Sequence, residues 1–319
     1  MPCYRLRVEI LQEIDAGRIR SARERGESFW LDLADPKSSD LDTLRQLVTI
    51  HPLAFEDTNE FGQRAKLDEY RHSALLVVYG AEPRKNGRPR LVEVHLHVTD
   101  DALVTISRES LTALEDARRH LAAKPSPHRA HAVHGVLDAL ADSFLNSLEG
   151  FDDAIDDLQE SVAEHPTSAH RQRIFALHRQ LAEMRRVLMP QRDLLAPSGD
   201  LVDAIPDLHA DDIHDRIRDV HDHLDRAAGL ADSYREQLAS LLNLYMTEVS
   251  TRLNESMKRL SVIATVFLPL TFIVGFFGMN FGWLGDAITP LWTFLVFGIG
   301  LLVLSIVPVV IYLRRTGVD

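Results

Sequence analysis

Two stretches near the C-terminus contain no Asp, Glu, Lys or Arg: residues 260–285 and 287–313, separated only by Asp286. No other feature restricts folding so severely. A helix rising 1.5 Å per residue needs about 20 apolar residues to cross a hydrocarbon core of about 30 Å, and Leu260 to Gly278 and Leu291 to Leu313 each supply that run. Both are read as transmembrane helices. A buried hairpin in a soluble domain would need two helices apolar on every side, whereas globular helices bury a single stripe. Lys258 and Arg259 precede the first span and Arg314 and Arg315 follow the second, while the loop offers only Asp286, so the positive-inside bias puts both ends in the cytoplasm. No charged segment leading into an apolar run opens the chain, so no cleaved signal is expected. The expected location is the plasma membrane, multi-pass, with N- and C-termini cytoplasmic.

Upstream the character changes. Period-2 runs at 4–10 (YRLRVEI), 29–33 (FWLDL), 74–80 (ALLVVYG), 91–99 (LVEVHLHVT) and 102–107 (ALVTIS) predict strands, and 41–48 (LDTLRQLV) predicts a helix ended by His51-Pro52. Beyond Ser110 only helical patterns remain, broken at Lys124-Pro125, His165-Pro166 and 196–199 (APSG). After Pro206 no proline interrupts the chain until Pro269, so residues 207 to 278 are predicted as one helix of about 72 residues, on the order of 110 Å long. Its apolar positions Ile213, Ile217, Val220, Leu224, Ala227, Ala231, Tyr234, Leu238, Leu241 and Tyr245 alternate steps of four and three, the seam of a helix packed against others. The predicted division is an α/β domain at 1–110, a helical region at 111–206, a stalk helix at 207–259, a first span at 260–280, an outer loop at 281–290, a second span at 291–313 and a tail at 314–319. Two spans enclose a pore only if several chains share one axis, which points to a homo-oligomer.

Extending the helical stride into the first span collects Asn254, Met257, Leu260 or Ser261, Ala264, Leu268, Thr271, Gly275 and Gly278 on one stripe. Small, weakly polar residues there suit either close helix packing or the wall of a water-filled pore. Asn280 follows at the outer end. Magnesium sheds its inner waters reluctantly, and conduction requires binding weak enough to release. A ring of neutral amides meets both demands, hydrogen-bonding the hydrated ion where a carboxylate ring would hold it.

The segment YMTEVSTRLNESMKRLSVIATVFLPLTFIVGFFGMNF (245–281) resembles the CorA family of divalent-cation channels, the two-transmembrane GxN proteins. HPLAFEDTNEFGQRAKLDEY (51–70), LMPQRDLL (188–195) and RDVHDH (218–223) are similar to other parts of the same family. The resemblance implies an α+β cytoplasmic domain followed by a long stalk helix and two transmembrane helices, assembled as a funnel-shaped homopentamer in the bilayer. It implies a selectivity filter at Gly278, Met279 and Asn280, and a pore lined by Asn254, Met257, Leu260, Leu268 and Thr271, with Met257 and Leu260 in a hydrophobic constriction. It also implies a regulatory metal site between neighbouring chains, with Asp219 on the stalk facing Glu56 and Asp57. Magnesium is then both transported and regulatory ion, with cobalt or nickel as further cargo, and no organic cofactor.

The loop after the tripeptide, FGWLGDAI, lacks the acidic, proline-containing character of the magnesium-transporting members, which keeps a zinc transporter of the same fold, with proton coupling, as the alternative. A non-conducting membrane scaffold is the second. The chain has 15 histidines, among them the pairs His214/His221 and His131/His134, which are read as solvated surface because no four-ligand motif accompanies them. The acidic run at 151–160 (FDDAIDDLQE) either gathers cations or is a solvated helix face. A net charge of −12 opposes nucleic acid as partner, and no nucleophile and base arrangement or P-loop points to an enzyme.

Overall fold

The structure is a computed structural model that describes residues 8–84, 88–124, 128–196, 201–205, 208, 211–279, 282 and 291–315. The chain divides into two compact units, Met1–Leu242 and Asn243–Asp319.

The first unit is built on a six-stranded sheet in the order β1-β2-β6-β5-β4-β3. Its strands are β1 (Val8–Leu11), β2 (Ser28–Ala34), β3 (Lys66–Tyr70), β4 (Ser73–Glu82), β5 (Arg90–Thr99) and β6 (Ala102–Ser107). The β1, β2 and β6 strands run parallel, and β6, β5, β4 and β3 alternate direction. Every residue of β6 and nearly all of β4 is buried, because helices cover both faces. On one face Phe29, Leu31 and Leu33 of β2 and Val104 and Ile106 of β6 form a core with Ile19 of α1 (Ala16–Glu24), Leu44 of α2 (Ser38–Leu47) and Phe55 of α3 (Pro52–Asn59). The period of two puts Trp30 and Asp32 on the opposite face. There Trp30 Nε1 donates to Thr105 Oγ1 (3.0 Å), whose hydroxyl donates to Asp32 Oδ1 (2.6 Å), and Arg118 of α4 (Thr112–Ala122) pairs with the second oxygen of Asp32. The buried carboxylate is thereby fully engaged, as a charge withdrawn from water must be.

Helices α5 (Arg129–Glu164) and α6 (Ser168–Leu194) follow, then the single turn α7 (Leu201–Ala204) and α8 (Asp211–Phe277). The predicted strands at 29–33, 74–80, 91–99 and 102–107 and the helix over 41–48 are present; of the strand predicted at 4–10, residues 4–7 lie outside the described residues and the rest belongs to β1. The long helix expected at 207–278 is observed from Asp211 to Phe277, with Gly278 already in a turn. From Ile213 to Leu241 every seam position named from the sequence is buried. Sequence periodicity missed α1, α3 and β3. The five residues of β3, KLDEY, are an edge strand rich in charge, the composition that protects an edge from pairing with another chain, and it hides the alternation that betrays a strand.

In the second unit, the apolar part of α8 and the segment Leu291–Ile311 are long and apolar enough to cross a membrane. The helix passes Pro269 without a break, although proline removes one backbone donor there. The second span is composite: α9 (Leu291–Thr293), a π-helical stretch at Phe294–Gly300, and α10 (Leu301–Arg315).

Candidate ion pathway and metal centre

On α8 the positions Asn254, Met257, Leu260, Leu268 and Thr271 fall within about 120° of the helix circumference at 3.6 residues per turn, and all five are exposed in the single chain. Met257, Leu260 and Leu268 leave 60, 68 and 72% of their surface uncovered. Thr271 Oγ1 donates to the carbonyl of Phe267 at 2.8 Å. That bond uses the hydroxyl's proton and leaves its lone pairs free to accept a hydrogen bond. The helix stops at Phe277, and Gly278 turns the chain with its N–H on Val274 O (2.9 Å). A side chain at Gly278 would put its Cβ 3.0 Å from that carbonyl, so glycine suits the turn. Met279 is exposed; Asn280, expected to form the filter, lies outside the described residues, as does the outer loop at 281–290 apart from residue 282.

Asp219 and His223 stand one turn apart on α8, and Asp138 and Asp142 one turn apart on α5. His223 Nδ1 lies 2.8 Å from Asp142 Oδ1 and 3.8 Å from Asp138 Oδ1, and its Nε2 lies 3.9 Å from Asp219 Oδ1. One ligand atom each from Asp138, Asp142 and His223 fall within 4.8 Å of one another. Burial raises the carboxyl pKa of Asp138, with the His223 charge opposing it and Asp219 adding to it. Burial raises that of Asp142 too, reinforced by the charge of Asp138. A set of carboxylates that repel one another around an imidazole is chemically suited to a divalent cation, whose charge relieves the repulsion. The sequence carried the signal, an acid or histidine one helical turn from another acid on each of two helices, in VLDALAD and RDVHDH.

Glu56 and Asp57 are neighbours on α3. Glu56 is exposed beside Asp42 and Arg45 of α2, along a groove. Asp57 Oδ2 is 2.6 Å from Lys66 Nζ, which also reaches Asp68 Oδ2 at 2.7 Å. Burial acts to lower the Lys66 pKa, but its hydrogen bonds to Asp57 and Asp68 prevail and raise it. Among the described residues no ion pair or hydrogen bond joins Asp57 or Glu56 to the cluster around Asp219 within the chain.

Beneath α3 lies a polar network that sequence reasoning missed. Glu93 of β5 accepts from Gly62 N–H, from Gln63 N–H (3.3 Å), from Tyr79 Oη (3.1 Å) and from His95 Nε2 (2.8 Å). His97 Nε2 meets Thr58 Oγ1 at 2.7 Å while that hydroxyl donates to Ala54 O. Gln63 Nε2 donates to Asp57 O (2.9 Å) and Glu60 O (2.6 Å), closing the end of α3. The helix that carries Glu56 and Asp57 is thus tied to the sheet at both its last turn and the loop beyond it. Alternation in LVEVHLHVT put Glu93, His95 and His97 on one face, and that face is buried rather than wet. His134, expected at the surface, is buried as well. It lines a cavity of about 350 Å³ with His120, Lys124, His131 and Arg216.

A model of the family described as "CorA-like Mg2+ transporter protein" matches residues 26–315. The cobalt/magnesium transport protein CorA of Thermotoga maritima is 28% identical over 278 residues, covering 85% of this chain and 78% of that protein. The zinc transport protein ZntB of Yersinia enterocolitica is 26% identical over 227 residues, covering 69% of this chain and 66% of that protein. In fold, the complete structure of the CorA magnesium transporter from Methanocaldococcus jannaschii superposes with a TM-score of 0.79 at 19% identity, covering 91% of each chain.

Proposed function

The chain belongs to the CorA-like Mg2+ transporter family, and from that membership we propose that it is a gated magnesium channel of the plasma membrane in which five copies of α8 surround one axis. Members of this family move divalent cations across membranes and are not enzymes. One observation carries the assignment to this chain. A single helix, Asp211–Phe277, bears both the acid and histidine pair Asp219/His223 and the exposed stripe from Asn254 to Thr271.

In this reading Asn280, repeated around the axis, receives the ion with its water shell intact, Gly278 and Met279 shape the chain at that ring, and Thr271 offers the next oxygen inward. Met257 and Leu260 form the narrow apolar section that conducts only when wetted. The membrane potential drives entry, worth about 2.3 kcal/mol per charge per 100 mV and twice that for a divalent ion. The termini face the cytoplasm, and no organic cofactor takes part. Asp219 of one copy and Glu56 and Asp57 of the next hold a regulatory magnesium ion, and Asp138, Asp142 and His223 add donors on the Asp219 side. Bound ions keep the copies together; depletion lets them separate and wets the constriction.

A second reading, zinc transport with the same fold, is favoured by two particulars: the imidazole of His223 amid the carboxylates and an outer loop whose only acid is Asp286. Uptake into proteoliposomes decides. Magnesium uptake that excess zinc leaves largely intact, and that Asn280→Ala abolishes, supports the magnesium channel. Zinc uptake that rises with a proton gradient and excludes magnesium supports the alternative, and no uptake of either ion supports a scaffold.

A further inference from the structure

Lys66 is the first residue of β3, and its ammonium is gripped by Asp57 from α3 and by Asp68 from the same strand, at 2.6 and 2.7 Å. A cation therefore already occupies the oxygen of Asp57 that a metal ion would seek. Asp57 itself is held in place: Gln63 closes the turn beneath it, and Glu93 pins the loop that follows. The lysine is freer. It sits on a flexible four-carbon stem, about a third of its side chain faces solvent, and so does about a third of each carboxylate.

We propose that Lys66 is a tethered competitor of the regulatory divalent cation, occupying Asp57 when the ion is scarce and yielding it when the ion is plentiful. The proposal rests on the reading of Asp57 as a regulatory ligand. Its physical content is a displacement. With both carboxylates within a hydrogen bond of one ammonium, the metal-free state is spared the repulsion of two neighbouring negative charges. An arriving ion must replace a single charge whose effective concentration is fixed by the chain. The ion succeeds because it brings two charges, and it does so at a higher concentration than bare carboxylates would need. The lysine thus sets the threshold at which magnesium closes the channel.

The test uses the full-length protein in liposomes or detergent. It reads the magnesium concentration that half-suppresses uptake and the concentration that half-maximally protects the protein from limited proteolysis. Lys66→Gln lowers both midpoints by about fivefold, the scale of one partly exposed ion pair, while Lys66→Arg leaves them near wild type. To separate charge from folding, Lys66→Cys in a Cys3→Ser background is alkylthiolated after purification. An aminoethylthio group restores the positive charge and raises the midpoint again, whereas a neutral methylthio group does not. Midpoints unmoved by Lys66→Gln, in a protein whose response Asp57→Asn abolishes, overturn the competition and leave the regulatory reading standing. A response that survives Asp57→Asn in full overturns both. A Lys66→Cys protein that responds identically with either thiol adduct overturns the competition as well.

Discussion

The side-chain amide of Gln191 engages both backbone groups of Tyr79: Oε1 accepts from its N–H at 2.6 Å and Nε2 donates to its C=O at 3.1 Å. The reason lies in the sheet. Edge strand β3 pairs with β4 only from Ser73 to Val77, so from Val78 onward one side of β4 has no strand beside it among the described residues. At Tyr79 the amide of Gln191 stands in for a strand, and at Ala81 the Ser143 hydroxyl accepts the next outward N–H at 2.9 Å. Gln191 is wholly buried, so neither Tyr79 group has water as a substitute.

Gln191→Leu is therefore expected to strand a buried donor and a buried acceptor, costing about 2–4 kcal/mol. For a unit of this size that corresponds to a fall of about 5–10 °C in melting temperature, read by intrinsic fluorescence of the detergent-solubilised protein. A change under a few degrees would mean that the amide contributes no more than packing.

Two imidazoles make stability fall with pH. Burial, then the charge of His95, pushes His97 down to about 3, and burial with Arg216 and Lys124 pushes His134 down to about 4. Both stay neutral in the folded chain while an unfolded histidine takes up a proton near pH 6.5. Their contribution is complete above pH 6.5 and is lost as pH falls from there towards the folded values. Between pH 6.5 and 5.5 each loses about 1 kcal/mol, a window above the range where carboxylates titrate. Melting curves at pH 7.5, 6.5 and 5.5 should show the fall confined to the lower interval. His97→Gln, which keeps a donor for Thr58, should halve the slope.

How much of this was readable in advance depends on whether the signal was local. The apolar spans were legible from their length without charge, and the seam of α8 from Ile213 to Leu241 and most strands of the sheet because burial of one face writes itself as a period. The edge strand β3 was not, because its side chains answer to solvent and to Lys66, Asp57 and Asp68 rather than to a core. Nor was the buried face of β5. Glu93, His95 and His97 look in sequence like a wet face, and only the loop folded over them, with Gly62 and Gln63 donating to Glu93, turns that face inward. The candidate metal cluster was half legible: the resemblance pointed to Asp219, whereas Asp138, Asp142 and His223 needed α5 and α8 side by side.

That cluster should discriminate among cations. Oxygen donors suit magnesium, and imidazole adds affinity chiefly for cobalt and zinc. His223→Ala is expected to raise the cobalt concentration needed for half-maximal thermal stabilisation by about tenfold and to alter the magnesium value by less than about twofold. Asp142→Asn should weaken both. If His223→Ala moved magnesium as far as cobalt, the imidazole would be orienting the carboxylates rather than ligating the ion.

The proposed filter yields the sharpest contrast, because Asn280 and aspartate have nearly the same shape and differ in charge. A neutral amide hydrogen-bonds the water shell of magnesium and lets the ion go, whereas a ring of carboxylates concentrates positive charge and slows its release. Asn280→Asp should therefore bind cations more tightly while passing them more slowly. In proteoliposomes the magnesium concentration for half-maximal uptake should fall, and the maximal rate should fall by about tenfold or more, since each 1.4 kcal/mol of extra binding at the ring slows exit by that factor. Monovalent cations, excluded poorly by a charged ring, should begin to pass. Asn280→Ala, which removes the acceptor altogether, should instead lower uptake without tightening binding. An Asn280→Asp protein whose rate and half-saturation both match wild type would show that the ion does not pause at this side chain, and the filter would have to be sought elsewhere along the axis.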